Sequence, residues 1–356
     1  MTRRSLHIGS AMIDIITLIA SENIERATFA NDKVSFLMLE TGRKLPAEQI
    51  TTHVGGGACN TAVSLARQGW APDVLAKIGR DLNAGAVREH LGGNGVGDRL
   101  VESDHATGTA VMVASHDRNA SIFIHRGANE HLTVADLPDP SGYDLVYVSA
   151  LSNASAECFG PILSRARQAG VLTAANPGIR QLTSRTAEVL DALGNLDLLS
   201  INRVEAEALL PALATRTPPG FAPISSDIPP LLRDGLQAGG LRLGLREACA
   251  ALRNLGPKWV LITDGLDGAW LAAPDGLHWC ASAPAEVAGT AGAGDAYCST
   301  LTASLAEGTP PAEAMRLAAI NAASVVSHVD TTTGLLERAA LASQNMGLSQ
   351  KHFPLI

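Results

Sequence analysis

Short apolar runs alternate with helix-like patterns across the second half of the chain. Residues 145–148, 171–175 and 196–201 predict buried strands, because each is an apolar run of strand length. Between these runs, residues 156–169 and 186–193 carry apolar positions at helical spacing. The pattern continues with a helix at residues 204–210 and a strand at residues 260–263. Strands that alternate with helices form a parallel sheet covered by helices, so this half indicates an α/β fold.

The first half combines a buried strand with helices and several β-like stretches. Residues 6–9 form an apolar run that ends in glycine, as a buried parallel strand does. Residues 58–69 and 84–91 predict helices. The other predicted β runs are residues 15–19, 34–39, 50–54, 74–78, 109–114 and 120–125, the last two joined as a hairpin. We therefore predict a doubly wound α/β body with a small β layer from residues about 15–55 and 105–127.

One stretch interrupts this alternation. Residues 211–244 are rich in proline and glycine and include the pairs Pro218-Pro219 and Pro229-Pro230. Proline and glycine are typical of loops, so we predict a surface insertion here. With that insertion, residues 1–356 are predicted to form a single domain.

Composition narrows the classes of function. The 356 residues are 46% hydrophobic and 17% charged, enough to bury a large core. The formal net charge of -8, without a long basic run, argues against nucleic acid as a main partner. No apolar run reaches the roughly 18 residues of a membrane span. Five scattered cysteines without a Cys-x-x-Cys pair argue against a disulfide framework or a zinc site and favour a reducing, cytoplasmic location.

A glycine-rich segment precedes an alanine-rich helix pattern near the end of the chain: Gly289-Thr290-Ala291-Gly292-Ala293-Gly294-Asp295-Ala296-Tyr297. Small residues let the backbone N–H groups and the positive end of the helix dipole approach a phosphate closely. Asp295 would repel that phosphate unless it has a separate task, and the task would be to take a proton from an attacking hydroxyl. The alternative is a glycine-rich turn with an acidic residue in the first helical turn.

A second glycine cluster, Gly55-Gly56-Gly57, follows a predicted strand and opens a helix. Its backbone can approach a ligand, and Asn60 supplies both a donor and an acceptor. A simple tight turn is the alternative, while the Gly-x-Gly-x-x-Gly spacing of a dinucleotide-binding loop is missing. Asp14 lies just beyond the first strand, where it could accept hydrogen bonds from hydroxyl groups or be an ordinary solvated acid.

Two further motifs follow predicted strands. Asn202 and Glu205 have the spacing of a capping box, but the same residues could also lie near a hydrated Mg²⁺, which needs few protein oxygens. The sequence Thr263-Asp264-Gly265-Leu266-Asp267-Gly268 allows a tight turn, and the strand end could meet the phosphates of a nucleotide. Alone, this second motif indicates only a hairpin.

Taken in order, these motifs resemble the PfkB/ribokinase family of carbohydrate and nucleoside kinases over nearly the whole chain. The Gly55–Asn60 cluster with the following Leu65-Ala66-Arg67-Gln68-Gly69 is similar to the family's N-terminal signature. Gly292-Ala293-Gly294-Asp295 is similar to its C-terminal signature. The resemblance implies a ribokinase-like fold, in which a mostly parallel sheet with helices on both faces carries a small β-sheet lid.

The resemblance also implies a role for each motif, in an ATP-dependent transfer of the γ-phosphoryl group to a sugar or related polyol. Asp295 would be the catalytic base, and Gly292, Ala293 and Gly294 would form the anion hole. The sugar would be bound by Asp14, Gly56, Gly57 and Asn60. Asn202 and Glu205 would organise Mg²⁺ and its waters, and Asn202 would also contact ATP. The remaining residues of the ATP site would be Thr263, Gly265, Gly268 and Asn321. The lid would close over the sugar and join two copies of the chain in a homodimer.

The chain departs from the family pattern at two places. Gly289 stands where the family usually has an aspartate that helps to hold a monovalent cation, so we expect activity largely independent of K⁺. Ser149-Ala150-Leu151-Ser152-Asn153 stands where ribokinase-like members carry a sugar-contacting glutamate, which argues against ribose itself. The alternatives are a nucleoside kinase of the same family and a non-catalytic ligand-binding regulator on the same scaffold.

Overall fold

The computed structural model describes residues 2–20, 22, 25–28, 35–42, 44–115, 120–216, 228–344 and 346–355. Its strands are β1 (Arg4–Ile8), β2 (Met12–Ile19), β3 (Glu25–Thr28), β4 (Ser35–Met38), β5 (Ala47–Gly55), β6 (Ala71–Leu75), β7 (Lys77–Ile78), β8 (Gly97–Asp98), β9 (Val101–Glu102), β10 (Gly108–Ser115), β11 (Ala120–His125), β12 (Leu145–Val148), β13 (Leu172–Ala175), β14 (Leu198–Asn202), β15 (Leu236–Ala238), β16 (Leu241–Leu243), β17 (Trp259–Thr263), β18 (Ala269–Ala273), β19 (Gly276–Cys280) and β20 (Gln350–Phe353).

The α-helices are α1 (Gly57–Arg67), α2 (Leu82–Gly93), α3 (Phe159–Gln168), α4 (Ile179–Ser184), α5 (Thr186–Ala192), α6 (Arg203–Ala208), α7 (Leu210–Ala214), α8 (Pro230–Asp234), α9 (Leu245–Asn254), α10 (Ala293–Ala306), α11 (Pro311–Val326) and α12 (Arg338–Ser343). The helix predicted at residues 156–169 is in fact a 3-10 turn, Asn153–Cys158, followed by α3. No helix in the described part of the chain is long and apolar enough to cross a bilayer.

The main sheet has ten strands in the order β20-β19-β18-β17-β14-β13-β12-β1-β6-β8. Pairing is parallel from β17 through β14, β13, β12, β1 and β6 to β8 and antiparallel from β17 through β18 and β19 to β20. All four residues of β12 are buried, as expected for a strand covered on both faces. The predicted doubly wound, mostly parallel sheet is confirmed.

Alternate residues of the central strands belong to different hydrophobic clusters on the two faces of the sheet. In β12, Val146 and Val148 pack in a cluster with α3, α5, α7 and α9, whereas Leu145 and Tyr147 pack in a cluster with α10 and α11. This division follows from the period of two along a strand. Helices therefore cover both faces of the sheet.

A second sheet forms the lid, with the strand order β11-β10-β2-β5. The outer pairings, β10 with β11 and β2 with β5, are antiparallel, whereas β2 and β10 pair in parallel. The lid joins the body through β5, which leads directly into α1 at Gly56. The residues at the base of the lid therefore lie next to the start of that helix.

The surface insertion predicted at residues 211–244 is wrong for the residues that the structure describes. Helix α7 and residues 228–244, which include α8 and the β15–β16 hairpin, contribute buried leucines to the cluster that contains α3 and α9. These leucines are Leu213, Leu231, Leu232, Leu236 and Leu243. Proline and glycine here shape turns between short elements that add to the core. The remainder of the predicted insertion, residues 217–227, lies outside the described residues.

Candidate active site

The order of the parallel strands creates a crevice beside β1. The chain moves from β1 to β6 and β8 on one side, and then from β12 to β13, β14 and β17 on the other side. Neighbouring connections therefore leave β1 and β12 toward opposite faces, and such a switch point is where α/β sheets bind ligands. Gly9 and Ser149 follow these two strands, and a Cβ on Gly9 would lie only 1.8 Å from Ser149 Oγ. The small residue keeps the floor of the crevice open.

The second glycine cluster lies over this floor. Gly56 has a φ of 98°, and a Cβ there would lie 2.5 Å from the Ser10 carbonyl oxygen. The N–H of Gly57 donates to Ser10 Oγ at 3.1 Å, and a Cβ on Gly57 would lie 2.7 Å from Ser149 Cβ. Glycine is therefore required by close packing of the loop against the two strand ends. The loop directs the start of α1 at the crevice.

The start of α10 faces the same place. Gly292 caps this helix in the left-handed conformation with a φ of 78°, and a Cβ on it would lie 2.8 Å from Thr331 Cβ. A Cβ on Gly294, in contrast, would meet open space. The first turn of a helix has N–H groups without an intrahelical acceptor, so those of Ala293 and Gly294 are available to an anion.

Hydrogen bonds connect α1, α10 and the loop that follows α11. Asn60 Nδ2 donates to Asp295 Oδ2 at 2.8 Å, and Asn60 Oδ1 accepts from Thr331 Oγ1 at 2.8 Å. Both ends of the Asn60 amide are thereby assigned, because an amide nitrogen donates and an amide oxygen accepts. This bonding holds the Asp295 carboxylate in a fixed orientation over the glycine loop.

Asp14 approaches the same loop from the lid. A Cβ on Gly55 would lie 2.0 Å from Asp14 Oδ2, and a Cβ on Gly57 would lie 3.7 Å from Asp295 Oδ1. The two carboxylates thus lie over adjacent parts of one glycine loop. Burial, together with the negative charge of Asp295, raises the pKa of Asp14 to about 6. Burial also raises the pKa of Asp295 to about 6, against the opposing effect of the Asn60 hydrogen bond.

Raised pKa values of this kind are typical of functional carboxylates, because burying two acids together costs stability. Each group is ionised at neutral pH and still basic enough to accept a proton. The arrangement therefore suits one acid that binds hydroxyl groups and one that removes a proton from a hydroxyl.

Asn202 and Glu205 form the capping box at the start of α6. The Asn202 side chain accepts from the Glu205 N–H at 2.9 Å, and Glu205 Oε2 accepts from the Asn202 N–H at 2.9 Å. Glu205 is only 8% exposed, and burial raises its pKa against hydrogen bonds from the backbone of Asn202 and Ile179. The capping box that the sequence predicted is therefore present. It leaves the Nδ2 group of Asn202 as a donor.

Glu205 also lies near the middle of the site. Cys298, on α10 one turn beyond Asp295, accepts or donates a hydrogen bond with Ser200 at 2.6 Å. Burial raises the pKa of Cys298 to about 12, with further contributions from the charges of Asp295 and Glu205. The charges of Asp295 and Glu205 therefore both act on this buried thiol.

The expected nucleotide residues lie farther along the same edge of the sheet. Thr263 is paired in register with Asn202 on the neighbouring strand. Gly265 is exposed at a φ of 56°, next to Leu266, which is 87% exposed. Gly268 is buried, and a Cβ there would lie 2.2 Å from the Cys280 carbonyl oxygen. Glycine is therefore needed for the shape of the turn. Four strand spacings separate Gly9 from Thr263, about 19 Å, which is enough for a sugar and a triphosphate end to end.

The structure does not bring Asn321 into this edge. Asn321 is fully buried, its Nδ2 donates to Thr300 Oγ1 at 2.8 Å and its Oδ1 accepts from the Leu336 N–H at 2.9 Å. With its hydrogen bonds directed into the protein, the side chain fastens α11 to α10 and to the chain beyond Thr331. The expectation that Asn321 lines the ATP site is corrected to this supporting role.

Sequence reasoning missed Ser10, Thr331 and Asn129. Asn129 accepts from the Ala11 N–H at 2.9 Å and donates to the Ala11 carbonyl oxygen at 2.9 Å, which fixes the base of the lid. Each of these polar side chains is isolated in the sequence. Asn129 is buried just after a lid strand, but its burial is visible only in the structure.

Comparison with known proteins identifies the family of this chain. The profile of the pfkB family of carbohydrate kinases matches residues 26–338. The chain belongs to the pfkB family of carbohydrate kinases. Members of this family are phosphotransferases with an alcohol acceptor.

Curated relatives and solved structures are similar to this chain at low sequence identity. Aminoimidazole riboside kinase of Salmonella typhimurium is 25% identical over 252 residues, which cover 68% of this chain and 70% of that protein. The bifunctional ribokinase/ribose-5-phosphate isomerase A of Fructilactobacillus sanfranciscensis is 24% identical over 71% of this chain, which spans only 42% of that longer protein. The structure of Arabidopsis thaliana ribokinase complexed with ribose and ATP superimposes with a TM-score of 0.71 at 22% identity, covering 96% of this chain and 98% of that one. The ribokinase-like fold with its lid is thereby confirmed.

Proposed function

We propose that this chain transfers the γ-phosphoryl group of ATP to a hydroxyl of a sugar or related small polyol, with Asp295 as the catalytic base. The observation that carries the proposal is the position of Asp295. Its carboxylate lies at the start of α10, is oriented by Asn60 and has a pKa of about 6. A base with this pKa is ionised at neutral pH and can accept the proton of an attacking hydroxyl.

The acceptor would lie between the lid and the glycine loop. Asp14 would accept hydrogen bonds from two neighbouring hydroxyls, and Asn60 would position Asp295 beside the one that reacts. Gly56 and Gly57 would let the sugar approach the backbone, since side chains there would collide with Ser10 and Ser149. As Asp295 takes the proton, the hydroxyl oxygen attacks the γ-phosphorus in line and ADP leaves.

The anion hole would stabilise the phosphoryl group during transfer. The space beside Gly294 is open, so the N–H groups of Ala293 and Gly294 and the α10 dipole would act there on the charge that develops on the phosphoryl oxygens. Gly292 makes this possible, because its left-handed conformation turns the chain into the helix beneath Thr331. ATP would extend from this point toward Thr263 and Gly265, with Asn202 Nδ2 available to a phosphate oxygen.

Magnesium fits the site through water. Asn202 Oδ1 is engaged by the helix cap, so a direct bond from Asn202 to the ion is disfavoured. Glu205 offers a buried carboxylate that can hold waters of a hydrated ion, which is the mode of binding that Mg²⁺ prefers. Bound Mg²⁺ would neutralise charge on the phosphates.

A Glu205→Gln substitution should raise the Mg²⁺ concentration needed for half-maximal activity by about 10-fold, the usual effect of losing an outer-shell partner. Glutamine retains the capping geometry, so the melting temperature should change little. Mg²⁺ titrations of activity measure the effect, with Glu207→Gln on the same helix as the matched control. An unchanged Mg²⁺ dependence in Glu205→Gln would reduce Glu205 to a capping residue.

The lid would both close over the substrate and pair two copies of the chain. Asp14, Ile122 and Ile124 share one face of its sheet, and this face would be turned to the acceptor. The opposite face carries Ile50 and Phe123, each 63% exposed. A sheet with apolar residues on both faces needs a cover on each, so we propose that closure over the substrate covers one and a second copy of the chain covers the other. Phe123→Glu should yield monomers in sedimentation velocity experiments if this homodimer forms.

The monovalent cation dependence follows from Gly289. A Cβ there would lie 3.3 Å from the His328 carbonyl oxygen and 3.4 Å from the Val329 carbonyl oxygen. The site thus presents carbonyls but no carboxylate at this position, and a desolvated K⁺ would lack its counter-charge. Turnover in K⁺ should match turnover in a large inert cation at equal ionic strength. Several-fold activation by K⁺ would contradict this prediction.

A phosphotransfer assay tests the whole proposal. ADP formation should depend on both ATP and an acceptor from a panel of sugars, polyols and nucleosides. Turnover with nucleosides alone would favour the nucleoside kinase alternative, which the riboside kinase among the relatives supports. Ligands that raise the melting temperature without any ADP formation would favour a binding regulator.

We further propose that the chain works as a single domain in a reducing, cytoplasmic compartment, consistent with five buried free cysteines.

A further inference from the structure

A group of metal-binding side chains lies at the opposite end of the sheet from the candidate active site. Asp275 occupies the turn between β18 and β19, His278 lies on β19 and His352 lies on β20. Strand β18 runs antiparallel to β17, so this turn is a strand length, about 15 Å, away from the edge that carries Thr263 and Gly268. We infer that Asp275, His278 and His352 form a site for a divalent transition-metal ion of the Zn²⁺ class.

The three side chains converge on one point. His278 Nε2 lies 3.0 Å from Asp275 Oδ1, and His352 Nε2 lies 3.1 Å from the Asp275 carbonyl oxygen. One ligand atom from each of the three residues falls within 4.8 Å of the others. Ligands of a tetrahedral zinc ion are about 3.3 Å apart when each bond is close to 2.0 Å. Small rotations of these side chains therefore suffice to enclose an ion.

Strand pairing explains why the imidazoles meet. His278 and His352 are direct cross-strand partners in the antiparallel pair of β19 and β20, and their ring centroids are 4.6 Å apart. Gly276, beneath them, has a φ of 148°, and a Cβ there would lie 2.3 Å from His352 Nε2. A side chain at this position would displace the imidazole, so glycine permits the convergence.

The chemistry of the ligands selects the ion. Two imidazoles and one carboxylate suit zinc and its neighbours in the transition series, whereas Mg²⁺ and Ca²⁺ prefer oxygen ligands. His278 is 8% exposed, while Asp275 and His352 are exposed, so the ion can enter from solvent against a partly buried ligand. The scarcity of paired cysteines, which argued against zinc from the sequence, does not bear on a site built from histidines.

The bound ion would fasten the end of the chain to the sheet. Strand β20 comprises only Gln350–Phe353 and lies at the edge of the ten-stranded sheet, held by its pairing with β19. A metal bridging His278 and His352 links these two strands through side chains. Binding to the folded state alone stabilises it in proportion to the concentration of free metal.

Zinc binding by the untagged full-length protein tests the site. After removal of metals with a chelator and dialysis, ZnCl₂ is titrated into the protein by isothermal titration calorimetry. The unmodified chain should bind one Zn²⁺ at this site, and His352→Gln or Asp275→Asn should weaken that binding by at least about 10-fold. Both substitutions are at exposed positions, and circular dichroism checks that the variants fold.

Two controls separate this site from other zinc ligands. His105→Gln disrupts another close histidine pair, in which His105 and His131 stack with centroids 3.6 Å apart, and it should leave the affinity unchanged. Asp295→Asn should also leave it unchanged, since that residue belongs to the opposite edge. Hydrogen exchange at residues 350–353 should slow on zinc addition in the unmodified chain but not in His352→Gln. Absence of zinc binding, or equal affinity in His352→Gln and Asp275→Asn, would overturn the inference.

Discussion

Asp295→Asn is expected to lower kcat by roughly 10²-fold or more, as loss of a general base commonly does. Asparagine has nearly the same size as aspartate but cannot accept the proton of the acceptor hydroxyl. The hydrogen bond from Asn60 Nδ2 can be retained by the amide oxygen, so the start of α10 should keep its conformation. Affinity for ATP should therefore change little, and steady-state kinetics together with nucleotide binding measure the two effects separately.

A matched control distinguishes loss of the base from general damage. Asp73 is also a partly buried acid, and it accepts from Tyr143 at 2.6 Å and pairs with Arg4 and Arg99. It lies in β6, on the other side of β1 from β12, and belongs to none of the proposed binding groups. Asp73→Asn should lower stability while kcat stays near its original value. Normal turnover in Asp295→Asn would exclude Asp295 as the base.

The pH profile provides an independent reading of the same group. The pKa of Asp295 is raised to about 6 by burial, so the proposed base would be protonated and inactive at lower pH. We expect kcat/KM to level off above that value and to fall below it by more than tenfold, and up to about 100-fold, for each unit of pH, because both carboxylates must be ionised. Because Asp14 has a similar pKa, the limb at low pH reports the pair together.

The fold could be predicted from the sequence because its signals are local and repeated. Buried parallel strands such as β12 and β14 are apolar over several successive residues, and the helices between them keep a helical spacing. The prediction of a surface insertion at residues 211–244 was wrong because proline and glycine dominate the sequence pattern there. The leucines that bury this stretch are separated by turns, and burial of such isolated side chains depends on contacts with α6, α7 and α9 that the sequence does not display.

Some residues of the candidate site could likewise be predicted from local sequence patterns, and others could not. Asp14, Asn60 and Asp295 could be named because each follows a strand or glycine loop whose geometry suits a ligand. Thr331 could not, since its contact with Asn60 joins residues 271 positions apart. Asn321 was misplaced for a related reason: its position on α11 was visible, but the direction of its side chain depends on how α10 and α11 pack.

Binding of the acceptor should depend most strongly on Asp14. Asp14→Ala removes a carboxylate that would accept hydrogen bonds from two hydroxyls, and a charge-assisted hydrogen bond contributes roughly 1.5–3 kcal/mol. Loss of even one such bond corresponds to a rise of about 10- to 150-fold in the dissociation constant for the acceptor, measured by calorimetry with the acceptor identified in the phosphotransfer assay. Nucleotide affinity should be unchanged, because Asp14 belongs to the lid and not to the strand ends near Thr263.

A control variant and the melting temperature test the same role of Asp14. Thr17→Ala alters the same strand on the face away from the acceptor and should leave acceptor binding intact. The pKa of Asp14 in the folded protein, about 6, exceeds the ordinary value of 3.8, so its ionised form destabilises the fold at higher pH. Asp14→Asn should accordingly melt at a higher temperature than the unmodified chain at pH values well above 6, with the difference disappearing near pH 4. Equal weakening of acceptor and nucleotide binding in Asp14→Ala would place Asp14 outside the acceptor site. Weaker acceptor binding together with a more stable protein would instead show that the Asp14 carboxylate serves ligand binding at a cost in stability.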